Sequence, residues 1–173
     1  MTRYAAFLRG VNVKGTTMKM ADVAAAFTGA GFTNVKTVLA SGNVLLDSGA
    51  AAKTVRTKAE AALRDAFGYD AWVLVYDVDT VRKVADDYPF EAEVEGQQSY
   101  VTFVSDTKVL DELAALADDA GPDEKITRGD GVLYWQVPKN STLDSTIGKT
   151  MGNKRYKSST TTRNLRTLAK VVK

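Results

Sequence analysis

The chain has 173 residues, of which 45% are hydrophobic and 25% charged, a net charge of +2, and neither cysteine nor histidine. This composition is that of a globular protein with a buried core. It excludes disulfides, thiolate or imidazole metal ligands, a cysteine nucleophile and a histidine base. Chemistry would therefore depend on carboxylates, Lys, Arg, Tyr, Ser and Thr, with oxygen-bound cations such as magnesium still allowed. We assign no residues to a metal site, and the cofactor is unknown from the sequence.

Charge is divided unevenly along the chain. The last 29 residues, Ser145 to Lys173, contain eight Lys or Arg and no Asp or Glu, so they carry +8 while the rest of the chain carries −6. Such a basic segment favours a surface that meets anions. The apolar stretch within Met1–Gly10 is short and contains Arg9, so it predicts neither a signal segment nor a membrane span. We expect a cytoplasmic protein with no membrane partner; the sequence does not indicate an oligomeric state.

The first half of the chain has the predicted element order β-α-β-β-α-β. Apolar periodicity and glycine positions predict, in chain order, a strand at Arg3–Arg9, a loop at Gly10–Gly15, a helix at Met18–Ala30, strands at Asn34–Ala40 and Asn43–Asp47 joined by a tight hairpin at Ser41-Gly42, a helix at Ala52–Ala66 and a strand at Ala71–Asp77. This order is typical of the split βαβ, ferredoxin-like unit.

The second half nearly repeats that order. Its predicted elements are a helix at Val78–Asp87, a strand at Gln98–Ser105, a helix from Val109 to Ala117 ending at Gly121-Pro122, a hairpin of Ile126–Arg128 with Val132–Val137, and helices at Leu143–Met151 and Thr161–Val172. The sequence therefore predicts an α+β fold of two ferredoxin-like (split βαβ) halves with antiparallel sheets plus C-terminal helices. We place the halves at residues 1–78 and 79–173, with the basic tail in the second.

A candidate anion site lies at the start of the predicted last helix. Arg163 falls in its first turn, where the helix dipole disfavours a cation. The hydroxyl residues Ser158–Thr162 precede it, and hydroxyls, free backbone amides and a guanidinium together suit phosphate or carboxylate. Alternatively, the hydroxyls only cap the helix and Arg163 pairs with an acid of the preceding linker, for which the candidates are Asp86, Asp87, Glu91, Glu93 and Glu95.

A second candidate is the segment Arg9–Thr17, between the first strand and the first helix. Phosphate-binding loops occupy this position, although the segment matches neither G-x-x-x-x-G-K-[ST] nor G-x-G-x-x-G. The donors of charge and amide groups would be Arg9, Asn12, Lys14 and the nearby Lys19. Alternatively, the glycines here serve only the geometry of the turn.

Three segments carry a family resemblance: Leu8-Arg9-Gly10-Val11-Asn12-Val13 followed by Gly15 and Met20, Ser41-Gly42-Asn43-Val44, and Thr161-Thr162-Arg163-Asn164 with Thr167. In this order they resemble the signature of the bacterial family of unknown function called DUF1697. The resemblance implies the same α+β architecture and no established activity. The chain departs from the family pattern at Lys14, where the family is glycine-rich, and at Leu165, where a Trp is common.

The binding hypothesis is that the motif residues from both ends of the chain converge on a phosphate-bearing ligand, either a nucleotide or a nucleic-acid backbone. The residues expected to bind it are Arg9, Gly10, Asn12, Lys14, Gly15, Ser41, Asn43, Thr162, Arg163 and Asn164. The predicted strands lack the aromatic pattern of the RNA-recognition motif, which argues against RNA bound across a sheet.

Two other classes of function stay open. The first is a small enzyme acting on a phosphorylated substrate, although the sequence shows no pair of nucleophile and base. The second is a structural or interaction module in which the acidic linker and the basic tail neutralise each other.

Overall fold

The computed structural model of the protein describes residues 1–9, 12–13, 16–17, 19–38, 42–68, 71–91, 94–119, 123–139, 150, 156 and 158–172. The chain divides into two compact units, one formed by Met1–Val81 with Lys170–Lys173 and the other by Arg82–Ala169. Each unit is built on a four-stranded antiparallel sheet.

The first unit is a ferredoxin-like βαββαβ fold. Its elements are β1 (Thr2–Arg9), the two-residue strands β2 (Asn12–Val13) and β3 (Thr16–Thr17), α1 (Met20–Gly29), β4 (Thr33–Val38), β5 (Asn43–Ser48), α2 (Ala52–Phe67) and β6 (Trp72–Asp77). The sheet order is β4-β5-β1-β6, so β1 is an inner strand with β5 on one side and β6 on the other. This is the strand order of the split βαβ unit, in which each helix connection skips one strand.

The core of the first unit follows from two sequence periods. Val23 and Phe27 of α1 are four residues apart, and Val55, Ala59 and Leu63 of α2 repeat the same interval, so each helix buries one stripe. The stripes pack with alternate residues of β1, which are Tyr4, Ala6 and Leu8. Helix α2 ends at Gly68, whose φ of +65° is readily adopted only by glycine.

The outer edge of β6 is covered by two side chains of α2. The Glu60 carboxylate accepts a hydrogen bond from the Val73 backbone N–H at 3.0 Å. One turn later, Arg64 Nη2 donates to the Ala71 carbonyl at 3.1 Å. An edge strand exposes backbone groups that can pair with another chain, and these two contacts occupy such groups.

The second unit has the same strand order. Its elements are α3 (Val78–Asp86), β7 (Gln97–Val104), α4 (Thr107–Ala114) continued by a 3₁₀ turn (Ala115–Asp119), β8 (Lys125–Arg128), β9 (Val132–Pro138), β10 (Thr160–Asn164) and α5 (Leu165–Val171). The unit boundaries fall within α3 and α5. The sheet order β10-β7-β9-β8 again places the first strand inside. The predicted α+β class with two ferredoxin-like halves is confirmed.

The core of the second unit lies between its sheet and α4. Leu110 and Leu113 of the helix pack with Leu133, Trp135 and Val137, which alternate along β9. On the other sheet face, the Tyr134 hydroxyl donates to the Val84 carbonyl of α3 at 2.8 Å. Burial raises the pKa of Tyr134 to about 12, because desolvation penalises the phenolate.

The predicted helix at Thr161–Val172 is wrong in its first third. Residues Thr160–Asn164 form strand β10, paired antiparallel with β7 from Val104 to Tyr100, and the helix begins only at Leu165. Three consecutive β-branched threonines suit a strand, and here they complete the edge of a sheet. The helix cap is Asn164, whose side-chain oxygen accepts from the Arg166 N–H at 2.9 Å, in place of the predicted hydroxyls.

The predicted loop at Gly10–Gly15 contains a short strand. Its residues Asn12–Val13 pair antiparallel with Thr16–Thr17. Several predictions lie outside the residues that the structure describes: the end of a helix at Gly121-Pro122, the tight hairpin at Ser41, and nearly all of the helix at Leu143–Met151. Across the helices that are described, none is long and apolar enough to cross a membrane.

Asp47 should stabilise the first unit in a pH-dependent way. Hydrogen bonds from Asn34 at 2.6 Å and from Arg3 at 3.1 Å hold the pKa of the Asp47 carboxyl below its ordinary value. Because the folded-state pKa is depressed, the stabilisation is complete above the unfolded pKa of about 3.9 and is lost as the pH falls through the folded-state pKa. We expect Asp47→Asn to lower the free energy of unfolding at pH 7, with the difference from wild type shrinking below about pH 4.

Urea denaturation of both proteins at a series of pH values measures this difference. A difference that stays constant from pH 7 down to the acid limit would show that the carboxylate charge contributes nothing.

The cap on the β6 edge gives a second prediction. Glu60→Ala leaves the Val73 N–H without its carboxylate acceptor and should lower the free energy of unfolding by about 1–3 kcal/mol. Glu60→Gln keeps a side-chain oxygen at the same place and should cost less. Equal losses in the two variants, measured by urea denaturation, would assign the effect to the Arg56–Glu60 ion pair instead.

Candidate functional site

The first two motif segments meet at one end of the first sheet. Arg9 is the last residue of β1, and the Leu8 N–H before it donates to the Gly42 carbonyl at 2.8 Å. Asn43, the first residue of β5, is the register partner of Phe7. Gly42 has a φ of +90°, a conformation that favours glycine, which explains this residue in the motif. The sequence-predicted residues Arg9 and Asn43 are thus neighbours around one strand end.

Arg9 is half-buried at this strand end. Burial lowers the pKa of its guanidinium from the ordinary value, because the charged form loses solvation. An arginine nevertheless stays protonated at neutral pH. The strand end therefore carries a permanent, partly desolvated positive charge.

The other predicted residues of the first unit have different fates. Asn43 is 1% exposed and its side-chain amide donates to the Val38 carbonyl at 2.8 Å, so it ties the end of β4 to the start of β5. The backbone of Asn12 lies in β2, paired with Thr17. The remaining four, Gly10, Lys14, Gly15 and Ser41, lie outside the described residues.

Trp72 beside Arg9, and Arg64 against Trp72, were missed in the sequence. Trp72, the first residue of β6, is the register partner of Arg9, so their side chains lie next to each other on one sheet face. The Arg64 guanidinium carbon lies 5.1 Å from the centre of the Trp72 ring, within the range of a cation–π contact. The available signal was a tryptophan at the start of a predicted strand, but only the strand pairing shows that it faces Arg9.

The third motif segment is divided between two faces of the second sheet. Side chains alternate along a strand, and the pairing of β10 with β7 places Thr162 and Asn164 on the face of α4 and Arg163 on the other face. The Thr162 hydroxyl shares a hydrogen bond of 2.7 Å with Thr102, and the Asn164 amide donates to Gln98 at 3.0 Å. The three motif side chains therefore do not form one cradle.

Arg163 is 7% exposed. Its Nη1 donates to the Thr161 hydroxyl at 2.7 Å and to the Thr162 carbonyl at 2.9 Å. It precedes the helix cap and so does not lie in the first turn of α5, which removes the helix-dipole argument for an anion there. Of the acids proposed as its partner, Asp87 pairs with Lys83 at 2.6 Å. Ligand contacts by Thr162, Arg163 and Asn164, and their convergence with Arg9, stay predictions.

The two units and their motif positions define an α+β protein of two ferredoxin-like halves with a cationic strand end in the first. The family model described as "Protein of unknown function (DUF1697)" matches residues 1–134. The chain therefore belongs to the DUF1697 family, which confirms the resemblance seen in the sequence. The match includes the first two motif segments, whereas Thr161–Asn164 lie beyond it.

One solved structure supports the fold. The conserved bacterial protein SP0830 from Streptococcus pneumoniae is similar to this chain with a TM-score of 0.80 and 20% identity, over 99% of this chain and 97% of that chain. At this identity the likeness shows the fold alone. An unknown protein from Galdieria sulphuraria has a TM-score of only 0.26 and 9% identity, over 94% of this chain and 96% of that one, which supports no argument. No curated protein matches the chain.

A substitution at Thr162 tests whether that residue is structural. Thr162→Val keeps the shape of the side chain but removes the hydrogen bond to Thr102, whose hydroxyl also accepts from Trp135 Nε1 at 2.9 Å. We expect the free energy of unfolding to fall by about 1 kcal/mol. Thr127→Val, at an exposed position of β8 in the same sheet, should change it by less than about 0.5 kcal/mol. Unchanged stability in Thr162→Val, measured by urea denaturation, would contradict the structural role.

Proposed function

We propose that the protein binds a phosphate-bearing ligand at the end of the first sheet, around Arg9. The observation that carries the proposal is a half-buried guanidinium at the end of an inner strand, next to the Gly42 turn and beside Trp72. Arg64 brings a second guanidinium against the same tryptophan. Two arginines are thus held around one aromatic side chain.

The electrostatics of this strand end favour an anion. Arg9 and Arg64 both lie near the Trp72 indole, their like charges repel each other, and a bound anion would offset that repulsion. Glu60, a carboxylate on the same helix as Arg64, already accepts from the Val73 N–H and from Arg56. Phosphate suits guanidinium groups, because their paired N–H donors match its oxygens.

The alternatives from the sequence use the same charges differently. An enzyme acting on a phosphorylated substrate would need this anion site together with groups that move protons, and ligand binding is the first step of either function. In a structural or interaction module, the basic side chains would instead form ion pairs with the protein's own carboxylates, as Lys83 does with Asp87. The expected cytoplasmic location stays a prediction.

A thermal-shift screen of Arg9→Ala tests the proposal. Inorganic phosphate, pyrophosphate, nucleotides and a short oligonucleotide are added at constant ionic strength, with sodium chloride as the reference. A ligand at about 100 times its Kd adds about 2.7 kcal/mol to native-state stability. For a chain of this size that should raise Tm by about 5–10 °C. We expect at least one phosphorylated ligand to stabilise the wild type, and Arg9→Ala to abolish that ligand-induced shift.

Arg3→Ala is the matched control, because Arg3 lies on the same strand at its opposite end and pairs with Asp47. It can lower the Tm of the free protein but should keep the ligand-induced shift. A flat response of the wild type to every phosphorylated ligand, or a full shift in Arg9→Ala, would refute binding at this strand end. A shift lost in Arg163→Ala but kept in Arg9→Ala would move the site to the second unit.

A further inference from the structure

Trp72 distinguishes the strand end around Arg9 from a simple phosphate site. The chain has two tryptophans, and Trp135 is a core residue, 2% exposed and stacked on Tyr100 with ring centres 4.4 Å apart. Trp72 instead keeps part of its surface exposed at the beginning of an edge strand, beside a half-buried arginine. Trp72 is thus the tryptophan that a ligand at this strand end could contact.

The Trp72 region is held in place by its neighbours. Arg64 contacts its ring and is itself fixed by the hydrogen bond to the Ala71 carbonyl, while the next residue, Val73, donates to Glu60. All of these contacts come from α2, which is anchored in the core by Leu63. A ring positioned in this way can accept a planar ligand with little loss of side-chain freedom.

Resting on the proposed function, we propose that the ligand is a nucleotide whose base stacks on Trp72 while its phosphate binds Arg9. Adjacent strands carry one matching group for each half of such a ligand. The Trp72 indole can stack on the base, and the Arg9 guanidinium can bind the phosphate. Inorganic phosphate would use only the arginine, and a nucleoside only the tryptophan. The two contacts together select the nucleotide over either part.

The sheet itself favours a mononucleotide over a single strand of nucleic acid. Ferredoxin-like sheets that bind single strands spread the bases over exposed aromatic side chains. The face of the first sheet that carries Arg9 also carries Phe7, Leu74 and Leu45, which are 0%, 1% and 8% exposed. Bases cannot stack on these buried side chains, whereas the partly exposed Trp72 lies at the strand end.

Tryptophan fluorescence tests the proposal directly. Adenosine and guanosine 5′-monophosphate, the matching nucleosides and inorganic phosphate are titrated into the wild type, Trp72→Phe and Trp72→Ala. We expect a saturable quench by the monophosphates in the wild type. In both variants the remaining emission, from Trp135, should not respond, because that residue is buried in the core of the second unit.

Affinities measured by calorimetry complete the test. Trp72→Ala should weaken nucleotide binding about tenfold or more, because base stacking is lost, and Trp72→Phe should lie between it and the wild type. Neither variant should change the affinity for inorganic phosphate. Circular dichroism melts identify any variant that fails to fold, and Trp72→Phe, which keeps a ring, is the one to use if Trp72→Ala does.

The outcomes separate the two proposals. If Arg9→Ala loses phosphate and nucleotide binding while both Trp72 variants bind nucleotide as tightly as the wild type, the stacking proposal is overturned and phosphate binding stands. If no phosphate-bearing probe binds the wild type, both fall. An oligonucleotide that binds more than about tenfold tighter than the monophosphates would overturn the assignment to a mononucleotide.

Discussion

The pairing of β1 with β5 on one side and with β6 on the other determines what surrounds Arg9. Because β1 is an inner strand, its end lies beside the start of both neighbours, which brings the Gly42 turn and Trp72 to the same place. Without the crossovers of the split βαβ order, residues 9, 42 and 72 would have no reason to meet. The candidate site is therefore a direct consequence of strand order, and local sequence only decides which side chains stand there.

Helix α2 connects the stability of the first unit to that site. One stripe of the helix, with Val55, Ala59 and Leu63, is buried in the core, and the adjoining stripe presents Glu60 and Arg64 to the edge of β6. These two residues are four apart, so one rotation of the helix sets both contacts. The same packing that buries the core thus protects an exposed sheet edge and fixes the guanidinium against Trp72.

Most of the fold could be predicted from the sequence, because the periodicity of apolar residues in each segment matches the element that the segment forms. The alternation in Arg3–Arg9, the four-residue interval in α2 and its terminal Gly68 each predicted the observed element. The failure at Thr160–Asn164 has a physical cause. A threonine run beside an amphipathic segment suits a helix cap and a strand equally, and only the vacant edge beside β7, a nonlocal partner, decides for the strand.

The same reason limits what the sequence could say about the site. Arg9 and the Gly42 turn belong to motifs and were found in the sequence. The positions of Trp72 and Arg64 at the site follow only from the register of β6 and from the contact of Arg64 in α2 with the Trp72 ring. In the third motif, strand alternation sends Arg163 to the face opposite Thr162 and Asn164. A shift between helix and strand changes which neighbours share a surface, so a motif alone cannot define a cradle.

The burial of both sheets constrains where any ligand can bind. On the face of the second sheet that carries Arg163, Val101 and Phe103 are 0% exposed, as Phe7 is on the face of the first sheet that carries Arg9. Neither face offers the open aromatic platform on which ferredoxin-like domains hold single strands. Among the described residues of the first unit, Arg9 with Trp72 is where a strand end joins a positive charge to an aromatic ring.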